Sequence, residues 1–107
     1  MDILDVALQL IASLREPVER LGRQDRELAV QVRKAASSIA LNVSEGRRRE
    51  GRDRLHFFRI ASGSAAEVGT GLDVAVGWGW LADAELAQAR SLLDRVRAMA
   101  WRLTHPH

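Results

Sequence analysis

The residues with the clearest chemical capacity are the basic ones between Arg47 and Arg59. This stretch contains Arg47, Arg48, Arg49, Arg52, Arg54, His56 and Arg59. A guanidinium group stays charged at physiological pH and donates several hydrogen bonds in one plane, which suits phosphate oxygens. The stretch is therefore a candidate surface for binding the phosphates of RNA or DNA.

The spacing of these residues predicts a common face. If a helix begins near Glu50, four basic residues recur at steps of three and four and form an outer stripe. They are Arg49, Arg52, His56 and Arg59. The alternative is a solvated face that pairs with its own acids, since Glu50 and Asp53 lie inside the stretch. No aromatic residue alternates with the arginines and no base-reading motif occurs, so we expect affinity without much sequence specificity.

A second polar set runs beside the apolar faces of the neighbouring segments. It consists of Gln31, Ser38, Asn42, Glu45, Ser64 and Glu67. Its two acids would permit a carboxylate pair for catalysis or metal binding. The favoured interpretation is a buried hydrogen-bond network that fixes helix register, with Arg33 or Lys34 as charge partner. No histidine accompanies the acids and no catalytic triad or nucleotide motif occurs, so we expect no enzyme, no metal and no cofactor.

Composition narrows the functional classes further. The 107 residues contain no cysteine, which excludes disulfides and thiolate sites and favours a reducing cytoplasm. The N-terminus lacks the pattern of a signal peptide, and Glu67 and Asp73 interrupt the apolar stretch 60–82, so no membrane association is expected. Net charge is +2, but residues 15–59 hold 12 basic against 7 acidic residues. We assign His105 and His107 to a frayed terminus rather than to a metal site.

The apolar residues follow helical spacing throughout the chain, in four segments. The segments cover residues 2–21, 25–46, 50–76 and 82–103. Pro17 predicts a kink or an early end of the first, with Gly22 as a stop. Asp25 is expected to cap the second segment, and Gly46 to end it. Short connections between amphipathic helices predict an all-α fold, an antiparallel up-down four-helix bundle that forms a single domain over residues 1–107.

Small and aromatic residues suggest where helices or subunits meet. Three glycines in the third segment, each about 1 kcal/mol less favourable in a helix than alanine, predict that another helix passes very close. They are Gly63, Gly69 and Gly71. Three tryptophans lie near helix ends, where core packing and a subunit interface are both open interpretations. They are Trp78, Trp80 and Trp101.

Three stretches together resemble a known bacterial family. They read "LAVQVRKAASSIALNVSEGRRR", "FFRIASGSAAEV" and "GLDVAVGWGWL". Their spacing is similar to that of the four-helix-bundle proteins encoded by intervening sequences in 23S ribosomal RNA genes, which are related to accessory proteins of diversity-generating retroelements. The matching residues are Leu28, Gln31, Arg33, Lys34, Ala35, Ala36, Ser38, Ile39, Asn42, Val43, Glu45, Gly46, Phe58, Ala61, Gly63, Ser64, Glu67, Leu72 and Leu81.

The resemblance implies a cyclic pentamer that binds nucleic acid, and for the retroelement proteins a partnership with a reverse transcriptase. We therefore expect a non-enzymatic homopentamer that binds RNA or DNA through the arginine-rich surface. The alternative is a protein-binding accessory subunit, for example of a reverse transcriptase, and the third class is a purely structural oligomer. The chain departs from the family pattern in "LDVALQL", which lacks the usual aromatic residues, and in "LGRQDRE", which lacks the usual proline. Both departures bear on the contacts of the first helix.

Overall fold

The fold is a bundle of four long helices that alternate in direction along the chain. The computed structural model describes residues 1–105, so His107, half of the terminal histidine pair, lies outside the described residues. Each helix packs on its neighbours in the chain, and the last closes the bundle against the first. The predicted all-α, antiparallel up-down four-helix bundle is confirmed. The helices are α1 (Ile3–Gln24), α2 (Arg26–Arg47), α3 (Gly51–Gly77) and α4 (Ala87–Thr104), and a 3-10 turn (Asp83–Leu86) precedes α4.

The core is made by the apolar faces that the helical spacing predicted. The apolar residues at helical spacing in the first and last segments are all buried or half-buried: Ile3, Val6, Ala7, Leu10, Ile11, Leu14, Val18 and Leu21 on α1, and Leu86, Ala89, Leu92, Leu93, Val96, Met99, Ala100 and Leu103 on the 3-10 turn and α4. The inward residues of all four helices join in a common cluster between them. Phe58 on α3 is the largest of the fully buried side chains within residues 1–105. Burial of these faces, rather than helix propensity alone, holds the helices in place.

Asp25 is the whole connection between α1 and α2. Its backbone N–H donates to the carbonyl of Leu21 at 2.8 Å, which closes α1. Its side chain accepts a hydrogen bond from the N–H of Leu28 at 2.9 Å, which caps α2. The predicted N-cap is confirmed, and the same residue ends one helix and begins the next.

The prediction of an early end of α1 at Pro17, or of a stop at Gly22, is wrong, while the alternative of a kink at Pro17 stays a prediction. The helix continues through both residues to Gln24. Proline removes one backbone donor, so the Ser13 carbonyl loses its partner four residues on. Pro17 itself is buried on the core side, and Leu21 packs there one turn later. This packing holds the last turns of α1 in spite of the missing hydrogen bond.

Gly46 lies inside the last turn of α2, so the prediction that it ends the helix is wrong by one residue. The helix ends at Arg47. A Cβ atom on Gly46 would stand 3.0 Å from Cε1 of Phe58, so any larger residue would press on that ring and the glycine permits the close packing against α3. Between α2 and α3 the left-handed backbone is taken up by Gly51, with φ of 58°, at the first position of α3.

The predicted close approach to the glycines of α3 is confirmed at Gly71. A Cβ atom there would stand 2.6 Å from Cγ2 of Val32 on α2. The same atom on Gly69 would make an ordinary contact with Leu93, at 3.5 Å, and on Gly63 it would meet nothing within 4 Å. Within residues 1–105, no helix has the length and apolarity needed to cross a membrane.

Candidate nucleic-acid interface

The predicted basic residues gather at one end of the bundle. Because successive helices run in opposite directions, the starts of α1 and α3 meet the ends of α2 and α4 there. An ion pair at 3.3 Å between Arg47 on α2 and Asp2, just before α1, joins two of these helix termini. Within this end, the seven predicted binding residues fall into three groups with different surroundings.

The first group is the α3 stripe, defined as Arg52, His56 and Arg59. All three side chains are exposed on the outward side of α3. None of them has an ion-pair partner among residues 1–105. His56 contacts the ring of Phe57 edge-on, with 5.4 Å between the ring centroids. The stripe can therefore turn toward a phosphate without breaking an internal salt bridge.

The second group is the Glu45 corner, defined as Glu45 with Arg48 and Arg49. The carboxylate accepts hydrogen bonds from Nη2 of Arg48 at 2.7 Å and from Nε of Arg49 at 3.0 Å. These bonds, from Arg48 first and Arg49 second, hold the pKa of Glu45 below its usual value. Arg49 also reaches Asp53 at 3.4 Å and covers the ring of Phe57 at 5.2 Å. The predicted four-residue stripe is thus wrong for Arg49, which precedes α3 and is already paired.

The third group surrounds the bundle-end cleft, a groove of about 300 Å³ between the starts of α1 and α3 and the end of α4. Its lining residues are Asp2, Ile3, Arg47, Arg54, Phe58, Met99, Arg102 and Leu103. The guanidinium carbon of Arg54 lies 5.1 Å from the ring centroid of Phe58, a cation–π contact. Sequence reasoning missed Arg102, although its place in the last turn of α4, together with the up-down topology, puts it beside the start of α3.

The predicted polar network forms with half of its members. Ser64 donates its hydroxyl to Oγ of Ser38 at 2.8 Å, and Asn42 donates to the carbonyl and the Oγ of Ser38 at 2.8 and 3.0 Å. The prediction is wrong for the other three members, because Glu45 pairs with arginines while Gln31 and Glu67 are exposed. The proposed charge partners Arg33 and Lys34 are exposed as well. No group of three or more acids and histidines within residues 1–105 could hold a metal ion.

Comparison with known proteins decides the family. The profile of the 23S rRNA-intervening sequence proteins matches residues 1–102. The chain belongs to this family. The fold is similar to that of a protein of unknown function from the S23 ribosomal protein family of Bacteroides thetaiotaomicron, with a TM-score of 0.85, 15% identity and coverage of 95% of this chain and 97% of that one. At that identity the likeness shows the fold alone. No curated protein matches the chain.

In this member of the 23S rRNA-intervening sequence family, two of the three tryptophans face outward. Trp78 is 70% exposed and Trp101 is 59% exposed, so the core-packing interpretation is wrong for both. Trp78 follows the end of α3 and stacks on the half-buried Trp80 with 5.7 Å between centroids, at the end of the bundle away from the α3 stripe. Trp101 stacks on His105 at 4.3 Å. A role for these rings in a subunit interface stays a prediction.

Proposed function

We propose that this protein is a non-enzymatic, cytoplasmic binder of RNA or DNA that contacts phosphates through the α3 stripe. The observation that carries the proposal is the exposure of Arg52, His56 and Arg59 on one side of α3, without ion-pair partners in residues 1–105. The two arginines gain an ionic partner when they meet a phosphate, and the imidazole of His56 can donate a hydrogen bond beside them. Arg48 and Arg49, by contrast, must first leave Glu45.

The start of α3 adds donors that carry no charge. The N-cap residue Glu50 makes no side-chain hydrogen bond to the helix, so the first backbone N–H groups remain open to an anion. Gly51, which begins the helix, is exposed and has no side chain to shield them. Guanidinium and backbone donors of this kind position a phosphate chain but carry no information on base sequence, which supports weak sequence specificity.

The proposal includes a ring of identical subunits, with the pentamer implied by the family resemblance as the expected size. Large apolar side chains exposed on separate elements support subunit contacts, for example Leu41 at 69% and Trp78 at 70%. A ring would repeat the α3 stripe, so that a modest charge on each chain would act multivalently. Light scattering of the intact chain tests the ring directly, and a monomer or a dimer would contradict it.

The α3 stripe is tested by the double variant Arg52→Gln, Arg59→Gln. We expect nucleic-acid affinity at moderate salt to fall about tenfold and the slope of log K against log salt to lose about 2, because two phosphate contacts no longer release counterions. Fluorescence anisotropy of a labelled oligonucleotide across a salt series measures both quantities.

A matched control separates the stripe from net charge. The double variant Arg26→Gln, Arg95→Gln removes the same charge from two exposed arginines that also have no ion pair among residues 1–105 and lie outside the basic end. We expect it to change affinity much less. Equal losses in the two double variants would mean that the stripe is not the binding surface.

The Glu45 corner predicts a gain of binding. Glu45→Gln removes the charge that neutralises Arg48 and Arg49, so we expect tighter binding and a salt slope steeper by up to about 2. Acidification acts in the same direction: because the pKa of Glu45 is lowered, its pairing is complete at neutral pH and is lost as the pH falls through that lowered pKa. Glu67→Gln is the control, since Glu67 is exposed on α3 and has no ion pair within residues 1–105. A similar gain in both variants would contradict the role of the corner.

The stacked pair Trp78 and Trp80 favours a second candidate function, a protein-binding accessory subunit such as one that serves a reverse transcriptase. The exposed Trp78, stacked on the half-buried Trp80 away from the basic end, offers a docking surface separate from the α3 stripe. A reverse transcriptase gene beside this gene would support it. A purely structural oligomer is left if mobility-shift assays detect no nucleic-acid binding even at low salt.

A further inference from the structure

We infer that the bundle-end cleft holds one unpaired nucleotide of a single-stranded nucleic acid, with the base on the apolar floor and a phosphate on Arg54 and Arg102. The inference rests on the proposed function and adds a substrate class to it. Duplex and single strand would share the α3 stripe, whereas the cleft would be reached by single strands alone.

The floor of the cleft is apolar and partly open. Ile3 and Phe58 form its buried part, at 4% and 1% exposure, while Met99 and Leu103 are half-buried and present their side chains at the mouth. The volume of about 300 Å³ is at the lower end of the range for small-molecule pockets. A space of this size suits one flat ring system rather than a long side chain or a helix.

The rim supplies cations whose environments differ. Arg47 forms an ion pair with Asp2 at 3.3 Å, and Asp2 accepts a hydrogen bond from the N–H of Asp5 at 3.0 Å. The charges of Arg47 and Asp2 therefore cancel, and neither is free for a ligand. Arg54 and Arg102 have no ion pair within residues 1–105. The guanidinium carbon of Arg54 lies 5.1 Å from the ring centroid of Phe58, a contact that holds this cation at the rim.

An apolar floor beneath two unneutralised guanidinium groups is complementary to an anion that carries a flat apolar group. A nucleotide has this chemistry, and its base is available only when it is not stacked inside a duplex. The position of the cleft favours the same ligand. Arg54 at the cleft and Arg52 on the α3 stripe lie two residues apart in the first turn of α3, on nearly opposite sides of its axis, so a strand that contacts both passes around the exposed start of the helix at Gly51.

The experiment observes the methyl groups of Ile3 and Met99 by NMR while short homopolymers are added. Single-stranded oligothymidylate and oligouridylate are compared with a DNA duplex of the same length, which also separates DNA from RNA. We expect both methyl signals to shift with the single strands and to stay in place with the duplex. Unmoved signals, equal shifts with the duplex, or larger shifts with a peptide that ends in leucine carboxylate would overturn the assignment.

Variants of the rim give a second readout. Arg102→Gln is expected to weaken single-strand binding about tenfold while duplex binding stays unchanged, and Arg102→Lys should retain part of the affinity. Arg95→Gln, an exposed arginine two turns earlier on α4, is the matched control. Equal losses of affinity for single strand and duplex would show that the cleft is not a single-strand site, while the proposed role of the α3 stripe would be unaffected. Failure of both nucleic acids to bind the unaltered protein would instead overturn the proposed function.

Discussion

Phe58→Ala is expected to lower the free energy of unfolding by about 3–5 kcal/mol, the largest effect of any substitution proposed for this chain. Phe58 is 1% exposed and is the largest of the fully buried side chains. Its ring fills the space beside Gly46, where a Cβ atom would approach it to 3.0 Å. Truncation would leave a cavity between α2 and α3 that their close packing prevents from collapsing. Chemical denaturation followed by circular dichroism measures the change.

The neighbouring residue provides the control for this substitution. Phe57 is half-buried beneath the guanidinium of Arg49, so Phe57→Ala removes the same atoms from a more exposed site. We expect its cost to be less than half that of Phe58→Ala. Equal losses of unfolding free energy in the two variants would show that the effect comes from helix propensity or from the start of α3 rather than from a buried cavity.

Gly71→Ala is the second large prediction, with an expected cost of about 1–3 kcal/mol. An added Cβ atom would stand 2.6 Å from Cγ2 of Val32, a distance that real Cβ atoms do not show, so the side chain of Val32 or the helices themselves must shift. This cost opposes the gain of about 1 kcal/mol that alanine brings over glycine in a helix. Thermal and chemical denaturation both measure the net change in the free energy of unfolding, which is the packing cost less the propensity gain.

The same helix contains the matched control. Gly63 is exposed and a Cβ atom there would meet nothing within 4 Å, so Gly63→Ala should stabilise the protein by about 0.5–1 kcal/mol. A double-mutant cycle locates the clash: the cost of Gly71→Ala should shrink in a Val32→Ala background, because the offending methyl group is gone. An unchanged cost in that background would rule out the contact with Val32 as its cause.

Helical periodicity made the helices and their inward faces predictable, because the step of 3.6 residues states directly which positions share a side. The faces of α1 and α4 followed it throughout. Helix ends were less predictable. A buried Pro17 and a tightly packed Gly46 look like terminators in the sequence, but each lies inside a helix that tertiary packing sustains.

The sequence predicted where the residues of the candidate site lie, but not which of them form hydrogen bonds or ion pairs with one another. Spacing put Gln31, Ser38 and Asn42 on one side of α2, yet it does not tell which of them turns fully toward α3, and Gln31 remained outside. Likewise, nothing in the order of residues states that Glu45 captures Arg48 and Arg49. Those distances depend on how the corner folds, which is why only the structure separates Arg49 from the other three members of the predicted stripe.

The one-residue connection at Asp25 has a consequence for how the chain folds. With no loop to order between α1 and α2, the entropy of closing that hairpin is small, and its contacts are local in sequence. Contacts between α1 and α2 can form first near Asp25 and then progressively farther from it, before the α1–α4 contacts, which join residues distant in sequence, are made. We expect α1 and α2 to share one protection level in native-state hydrogen exchange, since neither can swing away without breaking the end of the other.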